Sequence, residues 1–122
     1  MAHRVLIVDD EPNIVTSLQF LMRKGGFETS VARDGDEALT EVERFRPDLL
    51  LLDVMMPKRD GYEVCQKLRA SGWTDLKIIL LTAKGRETEV TKGLGVGADA
   101  YVTKPFSTRE LVEQVTRLLV GR

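Results

Sequence analysis

The segment Leu49-Leu50-Leu51-Leu52-Asp53-Val54-Met55-Met56-Pro57 carries aliphatic or thioether side chains at seven of nine positions and a single carboxylate. Asp48–Asp53 reads as a strand apolar on both faces, the habit of a central strand in a parallel sheet. An ionised Asp in apolar surroundings costs several kcal/mol unless something compensates it. The residues that compensate Asp53 must therefore be supplied from elsewhere in the chain.

Working outward, strand-like and helix-like segments alternate. Arg4–Val8 (RVLIV) is a short β-branched apolar run. Pro12 suits a first helical turn, and Ile14, Leu18, Leu21 and Met22 recur at helical spacing up to Gly25-Gly26. Phe27–Ala32 is a weaker second strand. Asp34 and Glu37 have capping-box-like spacing ahead of a helix through Ala38, Leu39 and Val42 to Phe45, which Pro47 ends. Beyond the third strand, Pro57 and Gly61 punctuate a loop before a helical stripe of Tyr62, Val64, Cys65 and Leu68. Leu76–Leu81 is the fourth strand and Ala100–Thr103 the fifth. Glu87–Leu94 reads as a helix of poor propensity, with Gly93 inside it. Ser107 and Glu110 then cap a fifth helix carrying Leu111, Val115, Leu118 and Leu119.

Five strand–helix alternations predict a doubly wound α/β fold, a flavodoxin-like (βα)5 five-stranded parallel sheet of order 2-1-3-4-5. The 122 residues suit a single domain spanning 1–122. Hydrophobic residues at 43% and charged residues at 30% support a real core. Lys+Arg at 18 against Asp+Glu at 19 gives a net charge of -1, which argues against direct nucleic-acid binding and against a polybasic membrane arm. No run approaches a membrane span. The single cysteine, Cys65, reads as core and fits a reducing, cytoplasmic setting. His3, the only histidine, receives no role, and Gly93-x-Gly95-x-Gly97 follows a helix and reads as a turn.

In such sheets ligands bind beyond the carboxyl ends of the strands, at the switch point. Strand one is followed by Asp9-Asp10-Glu11, strand three ends in Asp53, strand four runs into Thr82, and strand five into Thr103-Lys104-Pro105. Either Asp9 or Asp10 alone could be a helix cap, but both together with Asp53 point to a site. At a separation of ~4 Å and an effective dielectric of about 20, each carboxylate pair repels by roughly 4 kcal/mol. Mg²⁺, held by Asp9, Asp10, Asp53 and the backbone carbonyl of Met55, would relieve this. Lys104 adds a positive charge and Thr82 a hydroxyl. A carboxylate nucleophile, Mg²⁺, ammonium and hydroxyl match phosphoryl transfer. On this reading Asp53 projects at the rim of the sheet and is not buried.

With VLIVDDEP, LLLLDVMMPKRDGYE, ILLTAK and GADAYVTKPFS in that order, the whole chain resembles the receiver domains of two-component response regulators. The resemblance implies a phosphorylation-activated signalling switch. Asp53 would be the phosphoacceptor, Asp9 and Asp10 would hold Mg²⁺ with it, and Thr82 and Lys104 would contact the phosphoryl group. Thr82 and Tyr101 would form the switch pair, and the Lys104-Pro105 peptide bond would be cis. Met55 and Lys84 would tune phosphoryl lifetime; neither is suited to orient an attacking water, so self-hydrolysis is expected to be slow. The phosphodonor would be a sensor histidine kinase or phosphotransfer protein. The output would be a downstream partner, or an effector domain of the same protein, recognised by the face of the fourth helix, fifth strand and fifth helix. That face also leaves room for a phosphorylation-dependent dimer. The weak Glu87–Leu94 helix suits a moving element.

The expectation is thus mainly a signalling protein, which catalyses its own phosphorylation and turns over no external substrate. A phosphohydrolase of the haloacid-dehalogenase type is the alternative; it wants an acid two residues after the nucleophile, where this chain has Met55, and a cap for which there is no room. A flavin mononucleotide carrier would need a phosphate loop after strand one, where Asp9-Asp10-Glu11 would repel the phosphate.

Overall fold

The computed structural model describes residues 2–56, 58–83, 95 and 97–120. Five strands, β1 (Arg4–Val8), β2 (Glu28–Ala32), β3 (Leu49–Asp53), β4 (Lys77–Ala83) and β5 (Ala100–Lys104), form one parallel sheet in the order β2-β1-β3-β4-β5. Helices α1 (Pro12–Lys24), α2 (Gly35–Phe45) and α3 (Gly61–Ala70) and a C-terminal helix (Thr108–Val120) cover it. This is the flavodoxin-like arrangement expected. The helix expected over Glu87–Leu94, together with Lys84 and Pro57, lies outside the described residues.

The leucine run shows why the order is doubly wound. All five residues of β3 are buried. Period-2 alternation sends Leu50 and Leu52 to one face, where they pack with Ala38, Val42, Cys65 and Leu68 of α2 and α3. Leu49 and Leu51 face the other way, among Val15, Leu18 and Met22 of α1 and Leu111 and Val115 of the C-terminal helix. A strand with two apolar faces needs a helical layer on each side, and the right-handed crossovers supply both.

Local signals account for most helix ends. Pro12 occupies the first turn of α1 behind Glu11, which makes no side-chain cap; neither Asp9 nor Asp10 is therefore the cap of this helix. Asp34 Oδ1 accepts from the Glu37 N–H at 2.8 Å, while the Glu37 carboxylate accepts from the Arg33 N–H at 3.2 Å rather than closing a reciprocal box. A full capping box forms instead at α3, between Asp60 and Glu63. The Ser107 hydroxyl accepts from the Glu110 N–H at 3.3 Å.

Two strands run further than their apolar runs. β4 extends to Ala83 and β5 to Lys104, because the ladder continues through Thr82↔Thr103 and Ala83↔Lys104. Backbone pairing, unlike hydropathy, does not stop at a polar side chain.

Gly61, at the start of α3, fixes where β3 ends. Its N–H donates to the Val54 carbonyl at 2.9 Å, and a Cβ placed on it would stand 2.7 Å from the Asp53 carbonyl oxygen and 2.9 Å from Val54 Cα. Both are backbone atoms with no freedom to yield. Gly61→Ala is therefore expected to lower stability by about 1–3 kcal/mol in urea unfolding, the strain of overpacking outweighing alanine's better helix propensity.

Candidate functional site

Strand parity assembles the site. Asp9 follows β1 in step with Val5 and Ile7, Asp53 ends β3 in step with Leu49 and Leu51, and Lys104 ends β5 in step with Val102. All of these apolar residues belong to the core under α1 and the C-terminal helix. The three polar side chains therefore converge on one face at the carboxyl end of the sheet. The Lys104 ammonium lies 2.9 Å from Asp9 Oδ2 and 3.4 Å from Asp53 Oδ1. Asp10 is exposed beside them, and one carboxylate oxygen from each of Asp9, Asp10 and Asp53 lies within 4.8 Å of the others.

Burial corrects the expectation of a rim carboxylate. Asp53 is only 6% exposed and Asp9 is 0% exposed. Apart from Lys104, two backbone donors make this tolerable. The Glu11 N–H donates to Asp9 Oδ1 at 3.0 Å, and the Met55 N–H to Asp53 Oδ1 at 3.3 Å. Backbone groups carry no residue signature, so nothing in the sequence marks these donors.

Compensation at Asp53 is incomplete. Burial, reinforced by the negative charge of Asp9, pushes its carboxyl up to about 6, against the opposing pull of Lys104 and of the Met55 N–H. Burial alone would lower the Lys104 ammonium, but its hydrogen bond to Asp9 and the Asp53 charge hold it above the ordinary lysine value. Among the described residues the site thus has three carboxylates, one fixed cation and a residual electrostatic cost. A hard divalent cation with oxygen ligands fits that donor set and that cost.

The remaining expected residues fall around this cluster. Thr82 sits on β4, one residue beyond Leu81, the register partner of Asp53. It is 2% exposed, and its hydroxyl has no hydrogen-bond partner among the described residues. A buried hydroxyl without a partner is costly, and natural structures keep few of them. The Lys104-Pro105 peptide bond is cis. Met55 is 56% exposed at the mouth of the site. Tyr101 stands apart from the cluster on edge strand β5, paired in register with Leu80 and 38% exposed. Cys65 is buried in the core, and His3 faces Asp48 at 3.6 Å, remote from the site.

Comparison with known proteins agrees with this geometry. The response regulator receiver domain family matches residues 5–116. The alkaline phosphatase synthesis transcriptional regulatory protein PhoP of Bacillus subtilis is 47% identical over 119 residues, which are 98% of this chain and 49% of that protein. The chain thus spans about half the length of this relative. A putative response regulator from Chloroflexus aurantiacus superposes with a TM-score of 0.93 at 37% identity, covering 98% of this chain and 99% of that one. The chemotaxis response regulator CheY4 of Vibrio cholerae gives 0.90 at 31% identity, covering 98% and 100%. The chain belongs to the response regulator receiver family: it is a receiver domain of a two-component system. The haloacid-dehalogenase alternative finds no support in these matches.

The raised Asp53 value has a thermodynamic consequence. A carboxyl whose folded value lies near 6 against 3.8 unfolded binds its proton more tightly when folded. Its contribution to stability is full below pH 3.8 and is lost as the pH rises through about 6. Asp53→Asn removes the charge, so without divalent cations it is expected to raise stability at pH 7.5 by roughly 2–3 kcal/mol. The gain should vanish near pH 4. Thermal unfolding of both proteins across this range checks it, and added Mg²⁺ should close the gap at pH 7.5 by stabilising the wild type.

Proposed function

We propose that this receiver domain takes a phosphoryl group onto the Asp53 carboxylate from the phosphohistidine of a sensor histidine kinase or phosphotransfer protein. The observation that carries this reading is the buried Asp53 carboxylate, held against Lys104 at 3.4 Å and beside Asp9 and Asp10. A carboxylate at the end of a rigid central strand is a positioned nucleophile. Its oxygen attacks phosphorus while the bond to the donor imidazole breaks. Lys104 stays as a fixed positive charge for the oxygens of the transferred group. The Thr82 hydroxyl, buried and unpartnered among the described residues, donates to one of those oxygens once they arrive.

Asp9, Asp10, Asp53 and the Met55 carbonyl would hold Mg²⁺. When bound, the ion offsets the carboxylate repulsion and the charge of the phosphoryl oxygens.

Phosphorylation replaces a carboxylate by a larger dianionic group. We assign the response to Thr82, drawn toward the new oxygens, and to Tyr101, whose ring turns inward from its half-exposed position on β5. The face that includes β5 and the C-terminal helix would then change its preference for a downstream partner, an effector domain of the same protein or a second copy of the domain. No helix among the described residues is long and apolar enough to cross a membrane, and we place the domain in the cytoplasm. Met55, at the mouth of the site, brings no carboxylate or amide to orient water, and we assign it, with Lys84, to a long phosphoryl lifetime.

Incubation with acetyl phosphate and Mg²⁺ followed by intact-mass measurement tests the reading. One added phosphoryl group is expected, absent without Mg²⁺ and absent in Asp53→Asn; labelling that persists in that variant would refute the assignment. After removal of the donor, the label should decay over minutes or longer. Decay within seconds would contradict the roles given to Met55 and Lys84.

A further inference from the structure

The residues that follow Asp53 are tied to a neighbouring helix that contributes nothing to the site itself. Arg59 Nε lies 2.6 Å from Asp36 Oδ1 in the first turn of α2, and Lys58 Nζ lies 3.6 Å from Asp34 Oδ2 at its cap. The backbones are equally close: a Cβ on Gly35 would stand 2.4 Å from Arg59 Cβ and 2.6 Å from the Arg59 carbonyl oxygen. Lys58 adopts a left-handed conformation with φ 70, which a non-glycine residue keeps only where its surroundings impose it. Immediately after Arg59, Asp60 caps α3 and Gly61 packs on the Asp53 carbonyl. One short segment is therefore fastened to α2 on one side and to the end of β3 on the other.

We propose that Asp36 and Arg59, supported by Asp34 and Lys58, are positioning residues for the metal and phosphoryl site. Their contact fixes Lys58–Asp60 against α2 and, with it, the placement of the Met55 backbone. That backbone donates to Asp53 through the Met55 N–H and, on the reading above, offers the Met55 carbonyl to Mg²⁺. This inference rests on that reading. An exposed ion pair contributes little to global stability, so its loss would be felt in metal affinity more than in the unfolding midpoint.

The experiment measures Mg²⁺ affinity by titration calorimetry on the whole chain, alongside the Mg²⁺ dependence of acetyl phosphate labelling. Asp36→Asn removes a negative charge and Arg59→Gln a positive one. A purely long-range field effect would weaken Mg²⁺ binding in the first and strengthen it in the second. Positioning predicts that both variants weaken it, by about threefold or more, the scale of one surface ion pair. The charge swap Asp36→Arg with Arg59→Asp should restore the affinity to within about twofold, because the pair re-forms with no net charge change. At saturating Mg²⁺ the apparent affinity for acetyl phosphate should return to the wild-type value in every variant. Shifts of opposite sign in the two neutralised variants, or Mg²⁺ affinities equal to wild type, overturn the proposal. A wild-type chain that takes no label overturns the phosphoacceptor reading instead, and calorimetry still reports on the contact.

Discussion

The contact on which the functional end of this molecule depends is the Lys104 ammonium set between Asp9 and Asp53. It joins the end of the last strand to Asp53 at the end of the third and, across 95 residues of sequence, to Asp9 just beyond the first. Two carboxylates buried side by side would be prohibitive without a cation, and among the described residues Lys104 supplies it. It does not balance them. With Asp10 at the edge, three carboxylates face one ammonium among the described residues, and burial first, then the Asp9 charge, keeps the proton affinity of Asp53 raised. Removing one member of a buried ion cluster leaves an unpaired charge, whereas an apolar set of similar volume would often be as stable or more so. The cluster is therefore poorly explained as a stability device, and its donor set fits a divalent cation.

Such a site can exist only on a frame that does not yield to the repulsion. The leucines of β3 provide it by burial on both faces, and Gly61 provides it by locking the Asp53 carbonyl against the first turn of α3. Strand parity then does the chemical selection. Once Val5 and Ile7, Leu49 and Leu51, and Val102 are committed to the face under α1 and the C-terminal helix, Asp9, Asp53 and Lys104 have no choice but to converge there.

Much of this was legible in the sequence because the fold is set by two short-range periodicities. Alternation of apolar β runs with helical stripes predicts the parallel sheet and its order, and the position of each polar residue at a strand end predicts the cluster. What stayed illegible depends on three-dimensional neighbours. Asp53 was expected at a solvent-facing rim, but a strand end can still be roofed by the loops that follow it, and hydropathy does not report a roof. The N–H donors of Glu11 and Met55 belong to the backbone. The pairing of Asp36 with Arg59 joins charges 23 residues apart, and each alone reads as an ordinary surface residue. The Asp60–Glu63 capping box had the right local pattern, hidden by a loop reading that stopped at Gly61.

At the opposite end of the sheet, charge is matched. There Arg69, near the end of α3, donates to the carbonyls of Gly97, Trp73 and Leu76 and to the Asp99 carboxylate. Asp99 also accepts from the Ile78 N–H at 2.8 Å. This pair is surrounded by partners that match it in charge and direction, which is the condition under which a partly buried ion pair helps a fold. It fastens α3, the start of β4 and the approach to β5 at the amino ends of the strands. Matched charge lies at the amino ends of the strands, and the carboxylates of Asp9, Asp10 and Asp53 gather at their carboxyl ends.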